Sequence, residues 1–282
     1  MANIQLMIID AQNDFCDHAT EGYAPALPVP GAYQDCLRLA QLIEQAGLAI
    51  ANVIATLDTH HMIDLAHNSS WLTEEGVAPP PFSRVTAADF LAGRYRLAVT
   101  PVSPAQNDYV LNYLQQLEQM QRPFILWPPH CLIGTPGHKL NPELAQALSH
   151  WETRTCKPVT LVQKGENIWT ESFSALKAVI PDPADPATQL NRAILEMLAQ
   201  SDRLLIAGQA SSHCVKETIN DILQFGAAGL KGKLVILTDC MSPVSGFEAA
   251  VEQFFTELRA QGVRLATSAE MALELVPENN PY

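Results

Sequence analysis

Short apolar runs alternate with amphipathic stretches along most of this chain, and this alternation constrains its fold more than any other feature. The apolar runs predict buried strands at residues 4–9, 49–57, 124–127, 159–163, 204–207 and 234–237. Apolar residues recur at helical spacing in the stretches 33–46, 141–149, 213–225 and 247–261. Strands that alternate with helices form parallel sheets, because each crossover helix packs on a sheet face. The pattern therefore predicts an α/β fold with a mostly parallel six-stranded sheet and helices on both faces.

Two stretches depart from this alternation and look like insertions. One covers about residues 61–108 and holds three consecutive prolines at 79–81; the other covers about 181–202 and has prolines at 181, 183 and 186. Proline at that density breaks regular elements, so we predict loops that border the functional site or an oligomer contact, with an amphipathic helix at 187–200. With 282 residues, 48% of them hydrophobic, the chain can form one large domain or two ordinary ones.

The net charge and the cysteine positions limit which binding partners and which cellular compartment we expect for this protein. The net charge is −13, so electrostatics give no reason to expect nucleic acid or an anionic membrane as a partner. The six cysteines lie far apart without a C-x-x-C pair, which predicts reduced thiols and a cytoplasmic protein. The N-terminus lacks the pattern of a signal peptide, and no stretch reaches the roughly 18 apolar residues of a membrane span.

One cysteine follows a predicted strand and opens a predicted helix. Cys214 comes after the apolar run 203–207 and a short turn. The apolar residues that follow it in the chain recur at helical spacing. The free N–H groups and the dipole of a helix N-terminus lower the pKa of a thiol, so this position favours a nucleophilic thiolate. The alternative is a buried cysteine that packs as a small apolar side chain.

Polar side chains follow four other predicted strands. Ligands bind outside the carboxyl ends of parallel strands, so these side chains should meet at one rim. In chain order they are Asp10, then Asp58 with His60, then His130, then Lys164. Beside Cys214, we expect Asp10 to take the thiol proton and return it to a leaving amine, while Lys164 orients Asp10 and tunes its pKa. The alternative is a structural ion pair between Asp10 and Lys164.

One carboxylate and two imidazoles in this set have the character of metal ligands. Asp58 and His60 are two residues apart and face the same side of an extended chain, and His130 supplies a third ligand. One Asp and two His with open positions suit a catalytic Zn²⁺, with Fe²⁺ and Mn²⁺ as alternatives. His67 is a candidate fourth ligand, with a surface-loop histidine as the alternative.

Two aromatic residues lie close in sequence to this set. Phe15 is five residues after Asp10, and Trp127 is three residues before His130. Aromatic rings in these positions can hold a flat ring substrate by stacking, although each is also compatible with a core position.

The motifs resemble those of a known family, the isochorismatase-like cysteine hydrolases, and within it the nicotinamidases. The opening motif is residues 8–15, the metal motifs are 58–60 and 127–131, the lysine motif is 164–165 followed by 171–174, and the cysteine motif is 208–215. Their order and spacing are similar over most of the chain, whereas the two insertions have no counterpart in the shorter members.

The resemblance implies a single doubly wound α/β domain over residues 1–282 and a triad of Asp10, Lys164 and Cys214. It also implies a cis peptide between Gln209 and Ala210, with the N–H groups of Ala210 and Cys214 directed at an oxyanion. In the nicotinamidases the metal binds the pyridine nitrogen of the substrate, and rings placed like Phe15 and Trp127 sandwich it. A homo-oligomer is implied by the family alone.

These observations predict a hydrolase that converts a small heteroaromatic amide, nicotinamide first, to its acid and ammonia through a thioester. Ser212 stands where many nicotinamidases have Asp, and the insertion at 61–108 can reshape the pocket mouth. An N-carbamoyl or ureido amidohydrolase of the same family therefore stays open. So does a non-catalytic protein that uses Cys214 as a reactive thiol.

Overall fold

Residues 2–98 and 102–276 are described by a computed structural model. Its strands are β1 (Ile4–Ile9), β2 (Ile50–Asp58), β3 (Trp71–Thr73), β4 (Arg84–Val85), β5 (Tyr95–Leu97), β6 (Phe124–Ile125), β7 (Thr160–Lys164), β8 (Arg203–Gly208), β9 (Leu234–Leu237) and β10 (Arg264–Ala266). Its helices are α1 (Ala32–Ala46), α2 (Ala87–Leu91), α3 (Pro104–Gln119), α4 (Pro142–Thr155), α5 (Arg192–Ala199), α6 (Cys214–Phe225), α7 (Glu248–Ala260) and α8 (Ser268–Leu275). Within these residues, no helix combines the length and apolar composition that a bilayer crossing requires.

Six parallel strands form the main sheet in the order β10-β9-β8-β1-β2-β7. All six residues of the central strand β1 are buried, as its continuous apolar run predicts. The chain extends the sheet to one side of β1 through β2 and β7, and to the other side through β8, β9 and β10. The order therefore reverses between β1 and β8, and a crevice opens there at the carboxyl ends of the strands.

The two faces of the sheet carry separate hydrophobic cores. Leu6 and Ile8 of β1 pack in the core that contains α1, α4 and α8. Met7 and Ile9 face the opposite way, into the core that contains α5, α6 and α7. This alternation of side chains is the consequence of the strand period of two. It confirms the predicted doubly wound sheet with helices on both faces.

One predicted strand of the main sheet is wrong, and one real strand was missed. Residues 124–127 do not join the main sheet, because β6 pairs antiparallel with the two-residue strand β4. The sixth strand is instead β10, which pairs with β9 at the sheet edge. An apolar run shows that a segment is buried, but it does not show in which core.

The insertion at about 61–108 is not the set of loops that its prolines suggested. Strand β3 pairs antiparallel with β5, and these elements pack with α3 and β6 around a third core. This insertion core contains Trp71, Val85, Leu97, Tyr113, Leu114, Leu117 and Phe124. In the second insertion, the predicted helix at 187–200 is shorter, because a turn at Pro186–Thr188 precedes α5.

Candidate active site

Cys214 is the first residue of α6, directly after the turn that leaves β8. The peptide between Gln209 and Ala210 in this turn is cis, as the family resemblance implied. The thiol is only 6% exposed. Burial raises the pKa of Cys214 well above its ordinary value, although the nearby Lys164 ammonium lowers it. The lowering of this pKa expected from the helix N-terminus is therefore not found, because desolvation outweighs it.

Lys164 lies at the end of β7 and connects the two carboxylates of the site. Its Nζ is 2.9 Å from Oδ2 of Asp10 and 2.8 Å from Oδ1 of Asp58. It also donates to the Ser172 carbonyl at 2.8 Å and lies 3.6 Å from the Cys214 sulfur. Burial alone would lower the pKa of Lys164, but the two carboxylates hold it well above its ordinary value. The group is therefore an ammonium in contact with both the thiol and the base.

Asp10 leaves the end of β1 in a left-handed conformation with φ of 45° and is fully buried. The Thr56 hydroxyl donates to its Oδ1 at 2.6 Å, and the Asp10 N–H donates to the same hydroxyl at 3.1 Å. Burial raises the pKa of Asp10, while Lys164 opposes this. A carboxyl with a raised pKa is a better proton acceptor than an exposed one. Sequence reasoning missed Thr56, which shares its strand face with Asp58 two residues later.

Within the part of the chain that the structure describes, the turn after β8 also provides two free backbone N–H groups, those of Ala210 and Cys214. The N–H groups beside them are already used. Val215 N–H donates to the Ala210 carbonyl at 3.2 Å, and Ser211 N–H donates to the Ser242 carbonyl at 2.9 Å. Among the described residues, the N–H groups of Ala210 and Cys214 have no acceptor. They are therefore available to an oxyanion formed beside the thiol.

Asp58 faces two imidazoles on the side away from Lys164. Its Oδ2 lies 3.1 Å from Nε2 of His60 and 3.4 Å from Nε2 of His130. The other ring nitrogens are already engaged, since Nδ1 of His60 lies 2.8 Å from the Asp64 carboxylate and Nδ1 of His130 lies 2.9 Å from the Pro128 carbonyl. Such outer contacts fix a metal-binding imidazole with its Nε2 free. Asp64 was missed, although it lies four residues after His60.

His67 is buried beside this group, and the surface-loop alternative does not hold. It is 0% exposed, and neither ring nitrogen has a hydrogen-bond partner in the described part of the chain. One nitrogen each of His60, His67 and His130 lies within 4.8 Å of the others. Burial lowers the pKa of His67 to about 2, so the ring is neutral and free to bind a metal. Three imidazoles and one carboxylate fit a divalent cation.

The predicted aromatic pair lies in the wall of one cavity above these groups. Phe15 packs edge-on against His130 with ring centroids 5.4 Å apart, and the Trp127 indole N–H donates to Glu171 at 3.2 Å. Sequence reasoning gave no role in a cavity to several other lining residues, although two of them, Glu171 and Phe173, belong to the lysine motif. These residues are Leu27, Ala66, Glu171, Phe173, His213 and Val244. The cavity therefore has apolar walls with the thiol and the imidazoles at its polar end.

The arrangement contains the groups that acyl transfer requires. A thiol lies beside a buried proton acceptor and an ammonium, and two free N–H groups lie on the same turn as the sulfur. Apolar walls exclude water from the reacting atoms. The site can therefore attack a carbonyl carbon of a small flat molecule.

The chain is similar in sequence and in fold to proteins of known function. No protein-family model matches the chain. The sequence is similar to the nicotinamidase of Escherichia coli strain K12, with 27% identity over 267 residues that cover 94% of this chain and 95% of that protein.

Solved structures with the same fold carry related names. The yeast nicotinamidase bound to the inhibitor nicotinaldehyde has a TM-score of 0.63 at 19% identity, covering 94% of this chain and 99% of that one. A pyrazinamidase of Pyrococcus horikoshii in complex with zinc has a TM-score of 0.53 at 17% identity, covering 94% and 99%. An isochorismatase-like hydrolase of Alkaliphilus metalliredigens has a TM-score of 0.53 at 16% identity, covering 98% and 100%. The predicted fold and the predicted resemblance are both confirmed.

Proposed function

We propose that this chain, an isochorismatase-like hydrolase similar to nicotinamidases, is a cysteine-dependent amidohydrolase that converts nicotinamide to nicotinate and ammonia. One observation carries the proposal: the Cys214 sulfur lies 3.6 Å from Lys164 Nζ, which lies 2.9 Å from the Asp10 carboxylate. The sulfur and an Asp10 oxygen are within 4.8 Å of each other. Because these groups meet at the polar end of an aromatic cavity, the thiol can react with a flat amide held there.

The first half of the reaction releases ammonia. Asp10 takes the Cys214 proton as the sulfur forms a bond to the amide carbon, and the carbonyl electrons move to oxygen. The N–H groups of Ala210 and Cys214 hold this oxyanion, and each such donor typically lowers the barrier by about 2.7–4 kcal/mol. The tetrahedral species collapses by breaking the C–N bond, and Asp10 passes its proton to the leaving nitrogen. A thioester remains on Cys214.

The second half hydrolyses the thioester. Asp10 takes a proton from water, the oxygen attacks the thioester carbon, and the C–S bond breaks. Asp10 then returns the proton to the sulfur, so the site regains its starting state. Lys164 stays charged throughout and stabilises the Asp10 carboxylate whenever it forms.

Asp58, His60, His67 and His130 would hold a divalent metal at the polar end of the cavity. When bound, the metal supplies a Lewis acid that can bind a ring nitrogen of the substrate. Zn²⁺ is our first choice, with Fe²⁺ and Mn²⁺ as alternatives, because three imidazoles with one carboxylate suit all three. The zinc complex of the Pyrococcus pyrazinamidase supports this choice.

Phe15 and Trp127 are proposed to hold the substrate ring from two sides. Both are buried, at 5% and 6% exposure, and both line the cavity. Aromatic contacts of this kind favour flat ring amides over aliphatic ones. The single domain, the homo-oligomer and the cytoplasmic location stay predictions.

Ammonia release by the purified protein tests the proposal. Nicotinamide, pyrazinamide, ureides and N-carbamoyl amino acids are supplied separately, with Cys214→Ala and the exposed cysteine variant Cys156→Ala measured beside the wild type. We expect hydrolysis of nicotinamide, a loss of at least about a thousandfold in Cys214→Ala and no comparable loss in Cys156→Ala. Release from ureides alone would assign the second activity of the family. Substantial release by Cys214→Ala would overturn the mechanism, and release from none of the compounds would favour the non-catalytic alternative.

A further inference from the structure

A buried polar side chain in the turn between β8 and α6 has no part in the mechanism above. Gln209 is the first residue after β8 and is 0% exposed. The same turn carries the Ala210 N–H and leads directly into α6, which begins at Cys214. Burying an amide is unfavourable unless its polar atoms form hydrogen bonds, so the contacts of this side chain indicate its role.

The Gln209 side chain is bound at both ends. Its Nε2 donates to Oδ2 of Asp35 on α1 at 2.9 Å, and its Oε1 accepts from the Ser242 N–H at 3.3 Å. The Asp35 side chain is itself buried, and its Oδ1 accepts from Arg38 at 2.5 Å. Arg38 also donates through Nε to the Asp239 carbonyl. This network holds the turn against both α1 and the segment that follows β9.

The network acts on the backbone that carries one of the two oxyanion donors. Asp35 lies in the first turn of α1, which packs on the sheet face opposite to α6. The Gln209 N–H is fixed to the Ile9 carbonyl at 2.7 Å. The Ala210 N–H belongs to the planar peptide unit that starts at the Gln209 Cα. A fixed Gln209 therefore fixes the direction of the Ala210 N–H.

We infer that Asp35 is a positioning residue, which acts through the Gln209 side chain to direct the Ala210 N–H at the oxyanion. The inference rests on the proposed function, in which this N–H stabilises the tetrahedral species. The donor matters most when negative charge develops on the carbonyl oxygen, so loss of Asp35 should lower kcat and leave KM nearly unchanged. The alternative is a buried polar contact that contributes only to the stability of the fold.

The steady-state kinetics of nicotinamide hydrolysis separate these two roles. We propose to compare wild type with Asp35→Ala, Asp35→Asn and Leu42→Ala. Asn keeps an acceptor oxygen for Gln209 Nε2, whereas Ala keeps none. Leu42 is 1% exposed on the same helix, two turns beyond Asp35, so its truncation controls for a loss of stability without contact to the turn.

In Asp35→Ala we expect kcat to fall at least about tenfold with KM within about threefold of wild type. In Asp35→Asn and Leu42→Ala, kcat should stay within about threefold of wild type. Equal losses in Asp35→Ala and Leu42→Ala would show a structural role and overturn the inference, as would equal losses in Asp35→Ala and Asp35→Asn. If Asp35→Ala does not fold, Gln209→Leu removes the same hydrogen bond from its other end and should show the same result.

An aldehyde with the substrate ring, pyridine-3-carbaldehyde, tests the direction of the donor without turnover. The Cys214 sulfur adds to the aldehyde carbon and the thiol proton goes to the oxygen, which then lies where the oxyanion would form. The calorimetric Kd of the aldehyde should rise at least about tenfold in Asp35→Ala and stay within about threefold in Leu42→Ala. An unchanged Kd in Asp35→Ala would show that the turn keeps its donors in place without Asp35.

The two measurements keep the inference separate from the proposed function. If the wild type hydrolyses no amide, but binds the aldehyde and loses this affinity in Asp35→Ala, the proposed reaction fails and the role of Asp35 stands. If nicotinamide is hydrolysed and neither kcat nor the aldehyde Kd responds to Asp35→Ala, only the inference fails. A wild type that neither hydrolyses an amide nor binds the aldehyde would overturn both.

Discussion

Gly208 lets the ends of β1 and β8 come together beside the catalytic groups. Its φ is 123°, and a Cβ at this position would lie 1.9 Å from the Ile9 carbonyl oxygen and 2.5 Å from the Ile9 nitrogen. The next residue of β1 is Asp10, and the turn after Gly208 carries Ala210 and Cys214. A side chain here would therefore separate the proton acceptor from the thiol.

We expect Gly208→Ala to destabilise the protein by about 3 kcal/mol or more, because the side chain adds both a backbone clash and an unfavourable φ. Urea denaturation measures the stability, and ammonia release measures the activity, which should fall with it. Gly232→Ala is the matched control, since no atom lies within 4 Å of its added Cβ. Equal stability of the two variants would show that β1 and β8 do not approach as closely as described.

The protonation state of Cys214 shows why a local rule can fail at a buried residue. A helix terminus typically stabilises a charge by about 0.3–1 kcal/mol, or up to about 2 when partly buried. Desolvation of a fully buried group can shift its pKa by about 3–5 units, which is several kcal/mol. The helix start at Cys214 is visible in the sequence, but its 6% exposure is not. A thiol with a raised pKa needs a base such as Asp10 to take its proton.

The insertion core is a packed part of the molecule where the proline content of the sequence had predicted loops. Ser103 and Gln106 form a capping box around Pro104 at the start of α3, and Val110, Tyr113, Leu114 and Leu117 lie on its buried face. Both signals are present in the sequence and predict a helix. The short strands β3 to β5 carry no comparable signal, since they are two or three residues long.

We predict that Leu114→Ala destabilises the protein by about 2–5 kcal/mol, because Leu114 is 1% exposed within the insertion core. Leu91→Ala on α2 is the control, with 67% exposure and an expected change below about 0.5 kcal/mol. Thermal and urea unfolding of both variants provide the comparison. A negligible effect of Leu114→Ala would mean that the insertion adds little to the cooperative unit.

Strand β10 and residues 124–127 show that apolar content alone does not predict which segments join the main sheet. The run 124–127 is strongly apolar, yet its first two residues pair with β4 in the insertion core. Strand β10 has three residues, of which only Ala266 is buried, so its sequence resembles a loop. An edge strand needs little apolar surface, because it is covered less than a central one.

At the scale of the whole molecule, the metal-binding group joins parts of the chain that are distant in sequence. Asp58 ends β2, and His60 follows it directly. His67 lies within the insertion, and His130 follows β6. Segment 58–67 is further tied to residues 127–132 by backbone pairing of His60 with Leu132 and of His67 with Trp127. A ligand bound here would therefore stabilise the sheet and the insertion together.

Metal removal should lower the stability of the whole chain. A site occupied at 100 times its Kd contributes about 2.7 kcal/mol, so chelation should reduce the free energy of unfolding by about 3 kcal/mol. In His67→Ala we expect lower metal content by elemental analysis and a smaller effect of the chelator. His150→Ala replaces a half-exposed histidine outside the group and should behave as wild type. Less than about 0.1 equivalent of metal per wild-type chain after metal-replete expression would contradict this prediction.

The sequence by itself determined the alternation of strands and helices, the mostly parallel sheet with helices on both faces, and the polar residues that follow the strands. These properties follow from local periodicity and from the rule that parallel strands share one carboxyl edge. Only the tertiary structure decided that Cys214 is a buried thiol and that His67 is a buried imidazole without hydrogen-bond partners among the described residues. It also decided that Tyr113 of the insertion core holds the Glu171 backbone. Each of these depends on desolvation and on contacts between residues far apart in the chain, and neither leaves a local pattern in the sequence.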